Sequence, residues 1–319
     1  MAEKFTTALS QWTNTFTGLV TRDFAECGVE YSDYAKKCAM SAMTSIYQLC
    51  KDGGKDPNSL DRDSIRSAVG QAASLQLNAD AYPAECYFQT RKKKTANGWV
   101  EAVEMGIMGA GNDALLNNFG SGIDKVYPAW IVHEGDDFTY PTYSGLEVEP
   151  PKWTPHGESD RVVRVVYPIK QNGIVQYFIA ERESAKVNLF AHIRNNMLNE
   201  TFGICENRYK ATEKQKAEIK ARKQEIFDAL ADCRTLDEML KCELALPYIS
   251  QAWLESTESM VARKLQNNIV KKIPKNYDAM ARRSFMELDE TYKASREEIE
   301  EEANSEPFVI DVEGEVIEE

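Results

Sequence analysis

Several residue types are too scarce or too scattered in this chain to support common chemistries. Only three histidines occur, His133, His156 and His192, and they lie far apart without the short spacing of a metal site. The seven cysteines, Cys27, Cys38, Cys50, Cys86, Cys205, Cys233 and Cys242, form an odd set with no CxxC pair. That pattern fits reduced thiols in a cytoplasm and speaks against a disulfide framework or a zinc site. No GxxxxGK(S/T) loop is present to cradle nucleotide phosphates, and no GxSxG elbow. A nucleotide-driven motor and a conventional hydrolase are therefore disfavoured, and no catalytic residue is expected. No apolar run approaches the ~20 residues that span a bilayer. The opening Met-Ala-Glu-Lys-Phe-Thr-Thr lacks a basic region followed by an apolar stretch, so no secretory signal is read there. The expectation is a cytoplasmic protein without a membrane partner.

What is present begins with charge. The net charge of −13 argues at first against a nucleic-acid binder, but it is unevenly placed. Residues 286–319 carry 14 acids against Lys293 and Arg296, which leaves the first 285 residues at −1. With 43% hydrophobic residues the chain can bury a proper core, and 319 residues fit one large domain or two small ones.

Periodicity divides the chain into an N-terminal helical region (1–55), a core (56–285) with an extended helical arm at 199–248, and an acidic, largely disordered tail (286–319). Helices are predicted over 31–49 and 61–75, with a short one at 112–119. Glu85–Thr90 and Trp99–Met105 read as strands joined by a polar turn ending in Asn97-Gly98. Further strands are expected at 126–133, 137–143, 161–167 and 175–180, the last two joined by Lys170-Gln171-Asn172-Gly173. Residues 147–155, with three prolines, read as an irregular loop. From Ser184 to about Ser295 the pattern is helical, including a mixed-sign stretch at 208–225. The fold class is α+β: a small antiparallel sheet with packed helices and a long C-terminal helical region.

Two basic clusters stand out. Arg91-Lys92-Lys93-Lys94 sits at the tip or flank of the first hairpin, where lysines guard a sheet edge or reach for phosphates. The second lies between Met260 and Pro274. Val261, Leu265, Ile269 and Ile273 form an apolar stripe at every fourth residue. Arg263, Lys264, Asn267, Asn268, Lys271 and Lys275 gather on the other side within about 140° at ~100° per residue. With Lys272, Arg282 and Arg283, residues 260–285 hold seven bases against one acid, Asp278. A solvated face normally mixes signs, whereas a single-sign face seeks a polyanion. Trp253 and Tyr277 are nearby aromatics that could stack on bases. Glu134, Asp136 and Asp137 read first as a tight turn with aspartate capping amides, and second as a Mg²⁺ site. Phe308-Val-Ile-Asp311 in its acidic setting reads as a docking peptide or a solubilising end. The tail could also compete with DNA for the basic face.

These residues resemble, in order from about Asp61 to Pro274, the RecT family of phage single-strand DNA annealing proteins, related to the lambda Red beta group. Leu75-Gln-Leu-Asn78 followed by Glu85-Cys-Tyr-Phe88 is similar to the family's helix-to-strand segment. Gly106-Ile-Met-Gly109 stands where the family has Gly-Tyr-Arg-Gly. Val132-His-Glu-Gly-Asp-Asp-Phe138 resembles the family's V-x-E-G-D-x-F, and Trp153-Thr-Pro-His-Gly157 its H-x-P segment. Trp253, Met260 and Ile269-Val-Lys-Lys-Ile-Pro274 resemble its basic helix, although Asn267 and Asn268 replace two arginines there. The resemblance implies ATP-independent binding of single-stranded DNA and annealing to a duplex, by rings or helical filaments, with no required cofactor. It also implies a phage exonuclease and the host single-strand-binding protein as partners, reached through the acidic tail, inside a bacterial host cell. The DNA-binding residues would be Arg91, Lys92, Lys93, Lys94, Arg263, Lys264, Asn267, Lys271, Lys272 and Lys275. The alternative is a scaffold that binds proteins through charged helices and tail; a nuclease using Glu134 and Asp136 ranks last.

Overall fold

The computed structural model describes residues 8–95, 98–145, 147–206 and 211–302. It is α+β, with helices on small antiparallel sheets. The chain divides into two units, Met1–Glu181 with Ala262–Glu290, and Arg182–Val261 with Thr291–Glu319. The division does not fall at residues 55 or 285: the N-terminal helices share one core with the residues that follow them.

In the first unit that core is built by α1 (Ala8–Glu26), α2 (Asp33–Asp52) and α3 (Arg62–Ser74). Trp12, Phe16, Val20, Met43, Ile46, Ile65, Val69 and Leu75 are buried together. Local signals start and stop these helices. The Ser32 hydroxyl accepts from the Ala35 amide at the start of α2, and Gly53-Gly54 ends it. Asp61 accepts from the Ser64 amide and starts α3.

The hairpin of β1 (Cys86–Thr95) and β2 (Gly98–Ile107) keeps one register from Cys86↔Ile107 to Thr95↔Gly98. It is longer than its apolar residues suggested. Lys92, Lys93 and Lys94 belong to β1, not to a polar turn, because their partners in β2 extend the ladder over them. Ala96-Asn97 lies outside the described residues. After Met108 the chain enters α4 (Gly109–Phe119).

The four-stranded sheet holds β3 (Ile123–Val126), β4 (Trp130–His133), β9 (Val162–Gln171) and β10 (Ile174–Glu181), in the order β10-β9-β3 with β4 also on β9. The single strand expected over 126–133 is split because Pro128 has no amide for the ladder. Pro141 likewise separates β5 (Asp137–Thr139) from β6 (Thr142–Ser144). The segment expected as an irregular loop contains β7 (Glu147–Glu149) and β8 (Lys152–Thr154), paired with β6 and β5 respectively. Asn172 and Gly173, both at positive φ, make the tight turn between β9 and β10.

The second unit is helical. It holds α5 (Lys186–Asn196), α6 (Glu213–Asp232), α7 (Leu236–Leu240), α8 (Gln251–Glu255) and the start of α9 (Thr257–Lys272). The 199–248 arm is part of this unit, burying Ile226, Phe227, Leu230 and Met239. Arg182, almost fully buried, donates to Asp237 at 2.7 Å and to Glu258 at 2.8 and 3.0 Å. Glu258 lies in the first turn of α9, so this ion-pair hub anchors where that helix begins. Beyond α9, α10 runs Ala279–Glu302, so the helical pattern expected to about Ser295 is found, and it continues to Glu302 into the part of the tail expected as disordered. A run rich in glutamate, lysine and arginine favours helix without needing a buried face. Residues 303–319, with the Phe308 island, lie outside the described residues. No helix among the described residues is long and apolar enough to cross a membrane.

Candidate nucleic-acid interface

The expected apolar stripe of α9 is buried: Val261, Leu265, Ile269 and Ile273, with Met260 and Val270. Burial of that stripe fixes the rotation of the helix, so the other face is presented by geometry and not by chance. Arg263, Lys271 and Lys272 are exposed, and Lys264, Asn267 and Lys275 are half-buried. Among the described residues no acid forms an ion pair with Lys264, Lys271 or Lys272.

The electrostatics follow from that arrangement. The Lys264 ammonium is pushed below the usual lysine range by burial, and further by the Arg263 and Lys271 charges. Lys275 is lowered by burial and by Lys271. In both, burial is the larger cause and a neighbouring positive charge adds to it. Lys275 has a local duty as well. Its Nζ donates to the carbonyls of Val270 at 2.9 Å and Ile273 at 3.1 Å, closing the end of α9. Its charge contributes to the field, but two of its three donors are engaged.

Sequence reasoning did not join a second element to this face, the start of α4. Gly109 approaches α9 so closely that a Cβ there would stand 3.4 Å from Asn267 Nδ2 and 3.5 Å from Arg263 Cδ. Met108 precedes α4 without a side-chain cap, and the Gly109 and Ala110 amides have no acceptor among the described residues. Uncapped amides at a helix start carry partial positive charge and bind phosphate oxygens. Here they lie beside Arg263 and Asn267. The readable signal was Gly106-Ile-Met-Gly109-Ala-Gly111, a glycine-rich passage from strand to helix.

The hairpin cluster is different. Arg91 Nη1 stands 3.9 Å from Glu104 Oε1. Lys92 lies directly opposite Glu101, which is also bonded by Lys55. Lys93 is exposed, and Lys94 is placed by its backbone opposite Trp99. The structure does not bring this cluster to the α9 face. Gly109 follows the far end of β2, and the seven steps from Ile107 to Val100, the partner of Lys93, span roughly 23 Å of strand. The element that meets the α9 face at Arg263 and Asn267 is the start of α4.

The other candidates also resolve. Trp253 is 1% exposed and belongs to the core. The Tyr277 ring lies between Phe119 at 5.0 Å and Phe285 at 5.1 Å, with its hydroxyl buried and pushed up to about 12 by that burial. Trp253 is closed to a base, and the half-buried Tyr277 is engaged by two other rings. The acidic trio disperses to separate partners. Asp136 accepts from the His133 amide at 2.9 Å, the His156 amide at 2.8 Å and Trp153 Nε1 at 2.9 Å. These donors, the His133 and His156 amides first, hold its carboxyl down at about 2. Glu134 pairs with Arg161 and Asp137 with His156, so the three carboxylates do not converge on a cation. The capped turn is the arrangement found. Among the described residues no group of three His, Cys, Asp or Glu could hold a metal ion.

Comparison of the chain with family models, with curated proteins and with solved structures returned no match.

Proposed function

We propose that this protein binds single-stranded DNA and anneals complementary strands without ATP, as an oligomer, in phage recombination inside a bacterial cell. The observation that carries the reading is the face of Arg263, Lys264, Asn267 and Lys271, on which Lys264 and Lys271 have no acidic partner among the described residues, beside the uncapped start of α4. Annealing is opposed by repulsion between two phosphate backbones. Neutralising one backbone on a cationic face lowers that barrier, and the bases need no protein readout because pairing supplies the specificity. Counterion release makes such binding steeply salt-dependent. Repeated weak contacts along a strand add up when several copies bind side by side. The RecT-like order of motifs supports the same reading. On it, the chain is not an enzyme, needs no cofactor, and reaches an exonuclease and the host single-strand-binding protein through its acidic end.

The test is a fluorescence annealing assay with two complementary oligonucleotides in the absence of nucleotide and metal. Accelerated pairing that weakens as salt rises is expected. Strand shortening would make it a nuclease, and no DNA binding at low salt would leave the scaffold reading.

A further inference from the structure

Strand β10 is an edge of its sheet, with no strand paired to its outer side among the described residues. Across a two-residue turn the flanking pair, Gln171 and Ile174, is hydrogen-bonded. Ile174, Gln176, Phe178 and Ala180 therefore turn their amides toward β9, and Val175, Tyr177 and Ile179 turn theirs outward. Those three outward groups have no hydrogen-bond partner among the described residues. A long, apolar, unpaired edge is a template for another strand, and proteins ordinarily blunt it with charge, proline, bulges or cover.

The other edges of the two larger sheets are blunted in those ways. β1 carries Arg91, Lys92 and Lys93. β2 is covered by the start of α3, where the Asp61 amide donates to the Glu101 carbonyl and the Ser64 hydroxyl accepts from the Val103 amide. β3 and β4 are four residues each, with register breaks against β9. β10 has eight residues, Ile174-Val-Gln-Tyr-Phe-Ile-Ala-Glu181, with no proline, no base and an unbroken register. Its one charge, Glu181, is at the end and already meets Arg164 and Tyr140.

We infer that β10 is a self-association edge, at which two copies of this chain pair antiparallel about a two-fold axis through Tyr177 and join their sheets into one. The strand is self-complementary in that register. Val175 faces Ile179, Gln176 faces Phe178, Ile174 faces Ala180, and Glu181 faces Gly173, so no like charges oppose. A strongly charged peptide would find no counter-charge along it, which favours a second copy as the occupant. The inference goes beyond DNA binding and holds with or without it.

The test is the mass of the full chain in solution without DNA, by light scattering and sedimentation at micromolar concentration. The wild type is expected as a dimer or an even multiple. Ile179→Pro removes an outward amide while leaving the ladder to β9 intact. Tyr177→Lys places two like charges on the axis. Each is expected to halve the assembly, or reduce it to a monomer, with the folded circular-dichroism spectrum retained. If Ile179→Pro fails to fold, Tyr177→Lys carries the test alone. A monomeric wild type overturns the inference, and so does an assembly that a folded Tyr177→Lys leaves intact.

Discussion

Two runs of cations in this chain look alike in composition and differ in what folding sets against them. On β1, Arg91 and Lys92 stand across from Glu104 and Glu101 of the neighbouring strand. On α9, Arg263 and Lys271 stand near Lys264, whose ammonium is lowered first by burial and then by those two charges. A cluster's field is set by its spatial neighbours, and a residue count along the chain does not report them. Charge on an exposed strand edge, such as that of the hairpin lysines, discourages pairing with another strand. The helix charges form the surface on which a polyanion gains most.

The largest test of that contrast is charge reversal at Arg263. Arg263→Glu is expected to weaken single-strand binding on the order of a hundredfold at low salt, in a titration followed by fluorescence anisotropy. An affinity within threefold of wild type would remove α9 from the interface. Next is the anchor of the helix. Arg182→Ala leaves Asp237 and Glu258, each about a third exposed, without their shared cation. A loss of about 3 kcal/mol in denaturant unfolding is expected. A change near zero would mean that the hub does not hold the start of α9.

A third test uses pH. Because Lys264 titrates below its unfolded value, the unfolded chain binds more protons in that window, and this group's contribution to stability rises as pH climbs toward the unfolded lysine pKa. Bound phosphate favours the ammonium, so affinity should fall earlier on the alkaline side than an ordinary lysine predicts. Lys264→Arg should flatten the profile, since arginine stays charged. An identical fall in the variant would assign it elsewhere. The smallest effect belongs to the hairpin. Lys92→Ala with Lys93→Ala is expected to lower the slope of log K against log salt by less than the ~0.7 per phosphate contact of a single strand. A larger drop would restore the hairpin to the binding surface.

Much of this could be read from residue order. The stripe Val261, Leu265, Ile269 and Ile273 and the opposite polar face follow from helical spacing, and all four apolar residues are buried. Asn172-Gly173 marked its turn correctly, and the helix expected over 61–75 begins after Asp61, because capping and positive φ are local properties. Less was legible where partners are distant. The length of β1 depends on what β2 places beside the lysines. The availability of Tyr277 depends on Phe119 and Phe285, and the duty of Lys275 on carbonyls exposed by the end of its own helix.

The sequence by itself determined the class of the fold, the acid-free stretch of 260–275 and the absence of a nucleotide loop, since each is a matter of composition or short-range period. Only the tertiary structure decided which cations meet an acid across a strand and which aromatics pack on other rings. It also decided that the uncapped amides of α4 meet Arg263 and Asn267, and that β10 keeps a bare edge. Those are consequences of pairing and packing between residues far apart in the chain, where electrostatic and hydrogen-bond balances are set by neighbours that no local pattern names.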